Sequence, residues 1–364
     1  MVTIPGIKYT KKVFSILFNT VNVSEVAEYI VLHALLPQSL LQLNRLEQDD
    51  GACFNLTRRT FKDVWNDLTA YLLVSDDRSG DAHFIIANIT VALKKLLSQK
   101  FLFETSADVS TAITKLDRIE VKLPKPEITS VKKRMKGLDQ MNASSLYKNI
   151  LELGRFTATK TADDISNSPT PLKRVIYSNH SLIVPTEALK PPLYCRGVYS
   201  FLNYATLGVA SAEALLSALD GPFAADKHNG SHDYSQRIDA KLKDVKQCLA
   251  LSVGRIAADG VASETWPRKL QISVGALQTA LEASLVEINS GSQVDDLMKP
   301  AMEQTFFARY CQRLCAGESE DISGDTVPPN VLCNVAVMNS PRFTTLFGCV
   351  RGDEMMPSRQ CSVL

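Results

Sequence analysis

"LNYATLGVASAEALLSALDG", residues 202–221, decides how the rest of this chain is read. It opens on a polar Asn203-Tyr204 pair and continues through small and apolar residues. Leu202, Leu207, Val209, Leu215, Leu216 and Leu219 recur at a spacing that predicts a helix with apolar faces. The one carboxylate before Asp220 is Glu213, in the middle. Such a stretch is either an ordinary buried helix or the frame of a catalytic helix without its chemistry.

Working outward, the periodicity is helical almost throughout. The stretch lies in a pattern covering 198–219, followed by 234–258, 268–288 and 298–314. Upstream, helical spacing covers 24–35, 59–73, 82–103, 108–119 and 144–158, with Ser24 placed to cap the first. RIEVKLPKP, 118–126, breaks that run with two prolines, and the polar TADDISNSPTPLK, 161–173, predicts an inter-domain link. RVIYSNHSLIVP, 174–185, holds two short β-branched runs around Ser-Asn-His-Ser and predicts a small hairpin. The expected architecture is mainly α and two-lobed.

Composition narrows the function classes. The 364 residues are 45% apolar and 22% charged, which suits a globular chain with two sizeable cores. A formal charge of +1 argues against nucleic acid as a partner, because phosphate binding needs a basic excess. No uninterrupted apolar run is long enough to predict a membrane span. The beginning, MVTIPGIKYTKKVFSILF, has lysines before an apolar run shorter than a signal peptide requires. The expectation is therefore a chain that is not exported, or one whose signal or anchor segment is missing.

Two features favour export. Asn-x-Ser/Thr sequons occur at Asn22, Asn55, Asn88, Asn142, Asn179 and Asn229. Of eight cysteines, Cys53 and Cys195 stand alone, while Cys311, Cys315, Cys333, Cys349 and Cys361 crowd the C-terminal end. None has C-x-x-C spacing, so disulfides pinning a tail, or buried free thiols, are the readings. These features predict an extracellular or secretory-pathway glycoprotein.

Chemistry is sparse. His33, His83 and His180 are isolated, and only His228 and His232 are four apart, in a glycine-bearing polar segment that reads as a solvated loop. There is no G-x-S-x-G elbow and no glycine-rich phosphate loop. Arg351-Gly352-Asp353 predicts a turn rather than an adhesion signal. The terminal CSVL fits a prenylation signal, which competes with export.

The ends of this pattern resemble a known family. "FFARYCQRLC", "VPPNVLCNVAVMNSPRFTTLFGCVRGDEMMPSRQCSVL" and, upstream, "IYSNHSLIVPTEALKPP" are similar to stretches of the neprilysin and endothelin-converting-enzyme family of zinc metallopeptidases. KLDRIEVKLPKP and YKNILELGRF resemble stretches of that family's helical cap lobe. The likeness implies a two-lobed fold with residues 1–158 as a cap-lobe remnant and 159–364 as a catalytic-type lobe whose hairpin lies beside the zinc helix.

The opening stretch falls on that zinc helix, where Leu-Asn-Tyr leads into His-Glu-x-x-His and an Asp. The resemblance places Glu213 and Ser217 at the two histidine positions and Ala214 at the catalytic glutamate; Asp220 matches. The third ligand falls on Ser273, with a following Asp near Leu277. The transition-state histidine falls on Thr326, the substrate-carboxylate arginine on Leu332 and the substrate-gripping asparagine on Arg174. The expectation is thus no metal, although the family uses zinc, and a pseudopeptidase that binds a peptide or protein ligand.

Alternatives are a truncated product without independent function, a residual peptidase, or a prenylated adaptor. The resemblance also implies a disulfide between Cys248 and Cys361. It implies that Cys311 and Cys349 pair with N-terminal cysteines that this chain lacks, which favours the truncated product.

Overall fold

The computed structural model describes residues 58, 61–99, 106–124, 135–136, 149, 152, 174–220, 232–256, 266–290, 296–315 and 327–364. The patterns at 24–35 and 161–173, and nearly all of 144–158, lie outside the described residues, as do Cys53, His33, His228 and Thr326. The chain divides into two compact units. One is Met1–Leu68 with Glu127–Pro171; the other is Thr69–Pro126 with Leu172–Leu364. The second unit therefore takes in residues well before the expected boundary at 158/159.

In chain order the elements are α1 (Lys62–Leu73), α2 (Asp76–Leu97), α3 (Ser106–Asp117), β1 (Glu120–Lys122), β2 (Ile176–Ser178) and β3 (Ser181–Ile183). There follow α4 (Ser200–Asn203), α5 (Val209–Asp220), α6 (His232–Ile256), α7 (Trp266–Ser290), α8 (Lys299–Gln312), α9 (Pro329–Met338) and α10 (Pro341–Leu346). The fold is mainly α, with one small sheet.

Helix α2 starts where Ser75 accepts a hydrogen bond from the Arg78 N–H, with Asp76 and Asp77 in its first turn and Lys94 and Lys95 in its last. Both charge placements favour the helix dipole. Its buried face includes Ile85, Ile86, Ile89, Leu93 and Leu97, and the helix packs against α7 among other elements. Helix α7 is the centre of the second unit, in contact with α2, α5, α6 and α9.

The hairpin turns on Asn179 and His180, whose φ values of 47° and 56° are the left-handed pair that a two-residue turn demands. β3 also pairs in parallel with β1, which makes the order β1-β3-β2. The proline-bearing break read at 118–126 thus contains a strand. Asn-His can close this turn because short polar side chains tolerate positive φ.

The opening stretch is helical but not uniformly so. Between α4 and α5, Tyr204–Gly208 widens into a π turn. The Leu207 N–H donates to the Leu193 carbonyl at 3.2 Å, and the Thr206 hydroxyl donates to the same oxygen. That outside acceptor draws the backbone away from regular α bonding. Gly208 fits beneath α2, since a Cβ there would stand 3.2 Å from Ile89 Cδ1.

The polar Asn203-Tyr204 pair has a structural task. The Asn203 side chain accepts from the Cys195 N–H and donates to the Cys195 carbonyl, both at 2.9 Å. The Tyr204 hydroxyl accepts from the Asn88 amide at 2.7 Å.

Candidate functional site

Helix α5 sets Glu213 and Ser217 one turn apart, and α7 brings Ser273 across from them. Ser273 Oγ lies 3.5 Å from Glu213 Oε1, at the long limit of a hydrogen bond, and 2.8 Å from the Tyr310 hydroxyl of α8. Ser217 is spent differently: its exposed hydroxyl donates to the Glu213 carbonyl at 2.7 Å. Ala214 is a buried methyl group. The structure therefore brings Glu213 and Ser273 together and leaves the Ser217 hydroxyl bonded to its own helix. Leu277 is buried in the core, Leu332 on α9 packs against it, and Arg174 is exposed just before β2.

The residue that the sequence reading missed is Arg313. It follows α8 and sends its guanidinium to Glu213, with Nη2 2.5 Å from Oε1. Its side chain is only 7% exposed, whereas that of Glu213 is 29% exposed. The guanidinium carbon stands 5.0 Å from the Tyr310 ring centroid, within cation–π range. Burial is the largest single influence and works against the charged guanidinium, but the Glu213 carboxylate and Tyr310 together outweigh it and raise Arg313 above its ordinary pKa. Burial raises the Tyr310 phenol as well, with Glu213 adding to the shift and Arg313 opposing it. Arg313 could have been suspected as a charge among the aromatics and cysteines of "FFARYCQRLC", but its partner is a hundred residues away.

The cluster is one carboxylate, one guanidinium, a phenol and the Ser273 hydroxyl. It can hold a charge pair and exchange hydrogen bonds. Among the described residues, no group of three or more His, Cys, Asp or Glu is placed to share a metal ion.

The hairpin packs on α5, and among the described residues its outer strand β2 has a neighbour on one side only, β3. Ser178 and Ser181 close the turn, with Tyr177 opposite Leu182. In a two-residue hairpin the closing pair exchanges the ladder bonds, so the next pair directs its N–H and C=O outward. Tyr177 thus presents its backbone along the free edge.

The tail is fastened on the other side of α7. Cys248 and Cys361 form a disulfide, and a second joins Cys311 to Cys333. The second differs from the expectation that Cys311 needs an N-terminal partner; one stands 22 residues on, at α9. Cys195, Cys315 and Cys349 are free thiols. The Asn339 side chain accepts from the Cys361 N–H at 2.7 Å, and Val363 and Leu364 are buried. Asp353 accepts from the Val350 N–H at 2.8 Å, so Arg351-Gly352-Asp353 is a closed turn.

Of the sequons, Asn179 sits exposed at the hairpin tip. Asn88 lies within α2 with its amide bonded to Tyr204, which leaves its nitrogen poorly placed for a glycan. Asn22, Asn55, Asn142 and Asn229 lie outside the described residues. No described helix is long and apolar enough to cross a membrane.

This helical frame is that of zinc metallopeptidases. The zinc metalloprotease Zmp1 of Mycobacterium tuberculosis, in complex with an inhibitor, matches with a TM-score of 0.61 at 15% identity, over 85% of this chain and 50% of that one. PepO from Lactobacillus rhamnosis matches with a TM-score of 0.59 at 17% identity, over 84% and 49%. A Haemonchus galactose-containing glycoprotein complex matches with a TM-score of 0.64 at 19% identity, over 92% and 58%. At such identities the likeness shows the fold alone, and this chain spans roughly half the length of these proteins. No curated protein matches the sequence.

Peptidase family M13 matches residues 175–363, and the chain belongs to that family. This is the neprilysin relationship that the sequence motifs indicate.

Proposed function

We propose that this chain is a non-catalytic M13 protein that takes up an extended peptide or protein segment in the former catalytic cleft without cutting it. The observation that carries the reading is the side-chain set on α5 and α7. A protein zinc site wants imidazole, thiolate or free carboxylate donors in tetrahedral array. Here Ala214 offers a methyl group, Ser217 and Ser273 offer hydroxyls, and the one carboxylate, Glu213, is engaged by a guanidinium. These residues do not fit zinc. Without the metal, a cleft water keeps a pKa near ~15.7 rather than ~7, and among the described residues Ala214 and the guanidinium-bound Glu213 offer no free general base to compensate.

The free edge of β2 supports peptide uptake, since an extended segment can add as a strand by main-chain bonds. The two disulfides and the exposed Asn179 support an extracellular or secretory-pathway glycoprotein.

The test is metal analysis of purified protein together with a peptide library, read for both cleavage and capture. We expect no stoichiometric zinc, no cleavage, and capture that weakens at least tenfold in Tyr177→Pro, which removes an outward N–H at a sheet edge. One zinc per chain with chelator-sensitive cleavage overturns the reading. Capture unchanged by Tyr177→Pro moves the ligand off this edge.

A further inference from the structure

Arg313 lies outside every ligand position discussed above, yet its guanidinium reaches Glu213 Oε1, the oxygen that Ser273 also faces. Glu213 Oε1 is the common point: α5 supplies it, Ser273 of α7 stands 3.5 Å away, and Arg313 Nη2 stands 2.5 Å away. The Tyr310 ring backs the guanidinium, and its hydroxyl reaches Ser273, so the four side chains form one closed cluster.

We infer that Arg313 is a built-in cation that fills the electrostatic place of a metal in this cleft and excludes divalent ions from it. The inference rests on the non-catalytic reading and adds a cause: the site is closed to zinc by a resident charge as well as by poor donors. Arginine suits the task. Its guanidinium cannot be deprotonated in a protein, so the charge cannot yield to an arriving metal as a lysine or histidine could. It is planar and suits an aromatic neighbour, and here its central carbon lies over the Tyr310 ring at 5.0 Å from the centroid. Its side chain is only 7% exposed, so water screens it little. A unit charge about 4 Å from a buried divalent ion weakens its binding by two orders of magnitude or more.

Glu213 is then the counter-ion of Arg313 rather than a leftover ligand. The expectation is that supplying good donors does not by itself restore a metal site.

The experiment compares two variants by zinc titration calorimetry and metal analysis after dialysis, with circular dichroism to verify folding. The first carries Glu213→His, Ser217→His and Ser273→Glu; the second adds Arg313→Leu. We expect zinc to bind the second at least ~100-fold more tightly than the first. Equal affinities overturn the inference, and so does zinc binding to neither, because the charge is then not what excludes the ion. Should the first variant fail to fold, thermal melts of Arg313→Leu, Glu213→Gln and the two combined keep the inference testable. A combined loss smaller than the sum of the single losses supports a coupled pair, and strict additivity overturns it. Zinc bound by the unaltered protein is a separate result: it defeats the non-catalytic reading itself.

Discussion

The two faces of α7 make the comparison from which most can be learned. One face presents Ser273 to the Glu213–Arg313 pair; the other, at Gly275, meets Leu216 and the tail residues Val363 and Leu364. The first face depends on a few polar side chains whose exchange alters the chemistry and leaves the helix standing. The second is apolar and close-packed, and it is fastened by a disulfide and by Asn339. The difference teaches that this scaffold is held from the tail side, so the Glu213 side is free to carry another set of side chains.

The sharpest way to break that comparison is to cut the tail loose. The Cys248–Cys361 bridge spans 113 residues. Closing a loop of that size is worth roughly 4–5 kcal/mol in the chain-entropy model, less any strain. Cys361→Ser should therefore lower the stability measured by urea unfolding by about that much while leaving the Glu213–Arg313 pair in place. A loss below about 1 kcal/mol would mean that Asn339 and the buried terminal residues hold the tail unaided, and the asymmetry would vanish.

On the Glu213 side the expected effect is smaller. Arg313→Leu leaves the Glu213 carboxylate without its partner, a defect of about 3 kcal/mol, at the low end for buried pairs because Glu213 is partly solvated. Adding Glu213→Gln should recover part of that loss. Urea midpoints of the two variants check it.

The two faces also differed in how far they could be read beforehand. Helix α5 and the hairpin were legible because their signals are local: apolar spacing in one, two β-branched runs around a polar turn in the other. Arg313 was not, since nothing in "ARYCQRLC" points to a carboxylate a hundred residues earlier. β1 escaped for a related reason. Three residues have no usable periodicity, and the partner strand lies about sixty positions downstream, across the segment read as a linker. The π turn is also invisible in sequence, because the Leu193 carbonyl that causes it arrives from outside the helix. Helices α9 and α10 were overlooked where prolines at their starts resemble breaks, although proline suits the first turn.

A third measurement moves pH instead of residues. Burial pushes the Tyr194 phenol up to about 12, helped by its bond to Asp81, and burial also raises Tyr204 and Tyr310. Above pH ~10 an unfolded tyrosine releases its proton while the folded one keeps it, so the native state binds more protons there. Stability must then fall as pH rises, by up to about 1.4 kcal/mol per pH unit for each such phenol. For Tyr194 that makes about 2–3 kcal/mol between pH 10 and 12. Urea midpoints followed over that window should decline, and Tyr194→Phe should flatten the decline. A slope that Tyr194→Phe leaves unchanged would assign the loss to other groups.

The smallest effect probes the packed face directly and has an internal control. Alanine is favoured over glycine within a helix by about 1 kcal/mol, so Gly→Ala should stabilise wherever a methyl group has room. At Gly254 of α6 nothing lies within 4 Å of the new Cβ, and the full gain is expected. At Gly275 the new Cβ would stand 3.1 Å from Leu216 Cδ1 and 3.2 Å from Val363 Cγ1. Both neighbours are buried and one belongs to the tail, so relief requires the tail to shift. Overpacking of this kind costs about 1–3 kcal/mol, which outweighs the helix gain and leaves Gly275→Ala destabilising by about 1 kcal/mol. The two substitutions should therefore move the urea midpoint in opposite directions. If both stabilise, the tail is looser on α7 than its contacts indicate. In a Cys361→Ser background, where the tail can give way, the penalty at Gly275 should shrink while the gain at Gly254 stays the same.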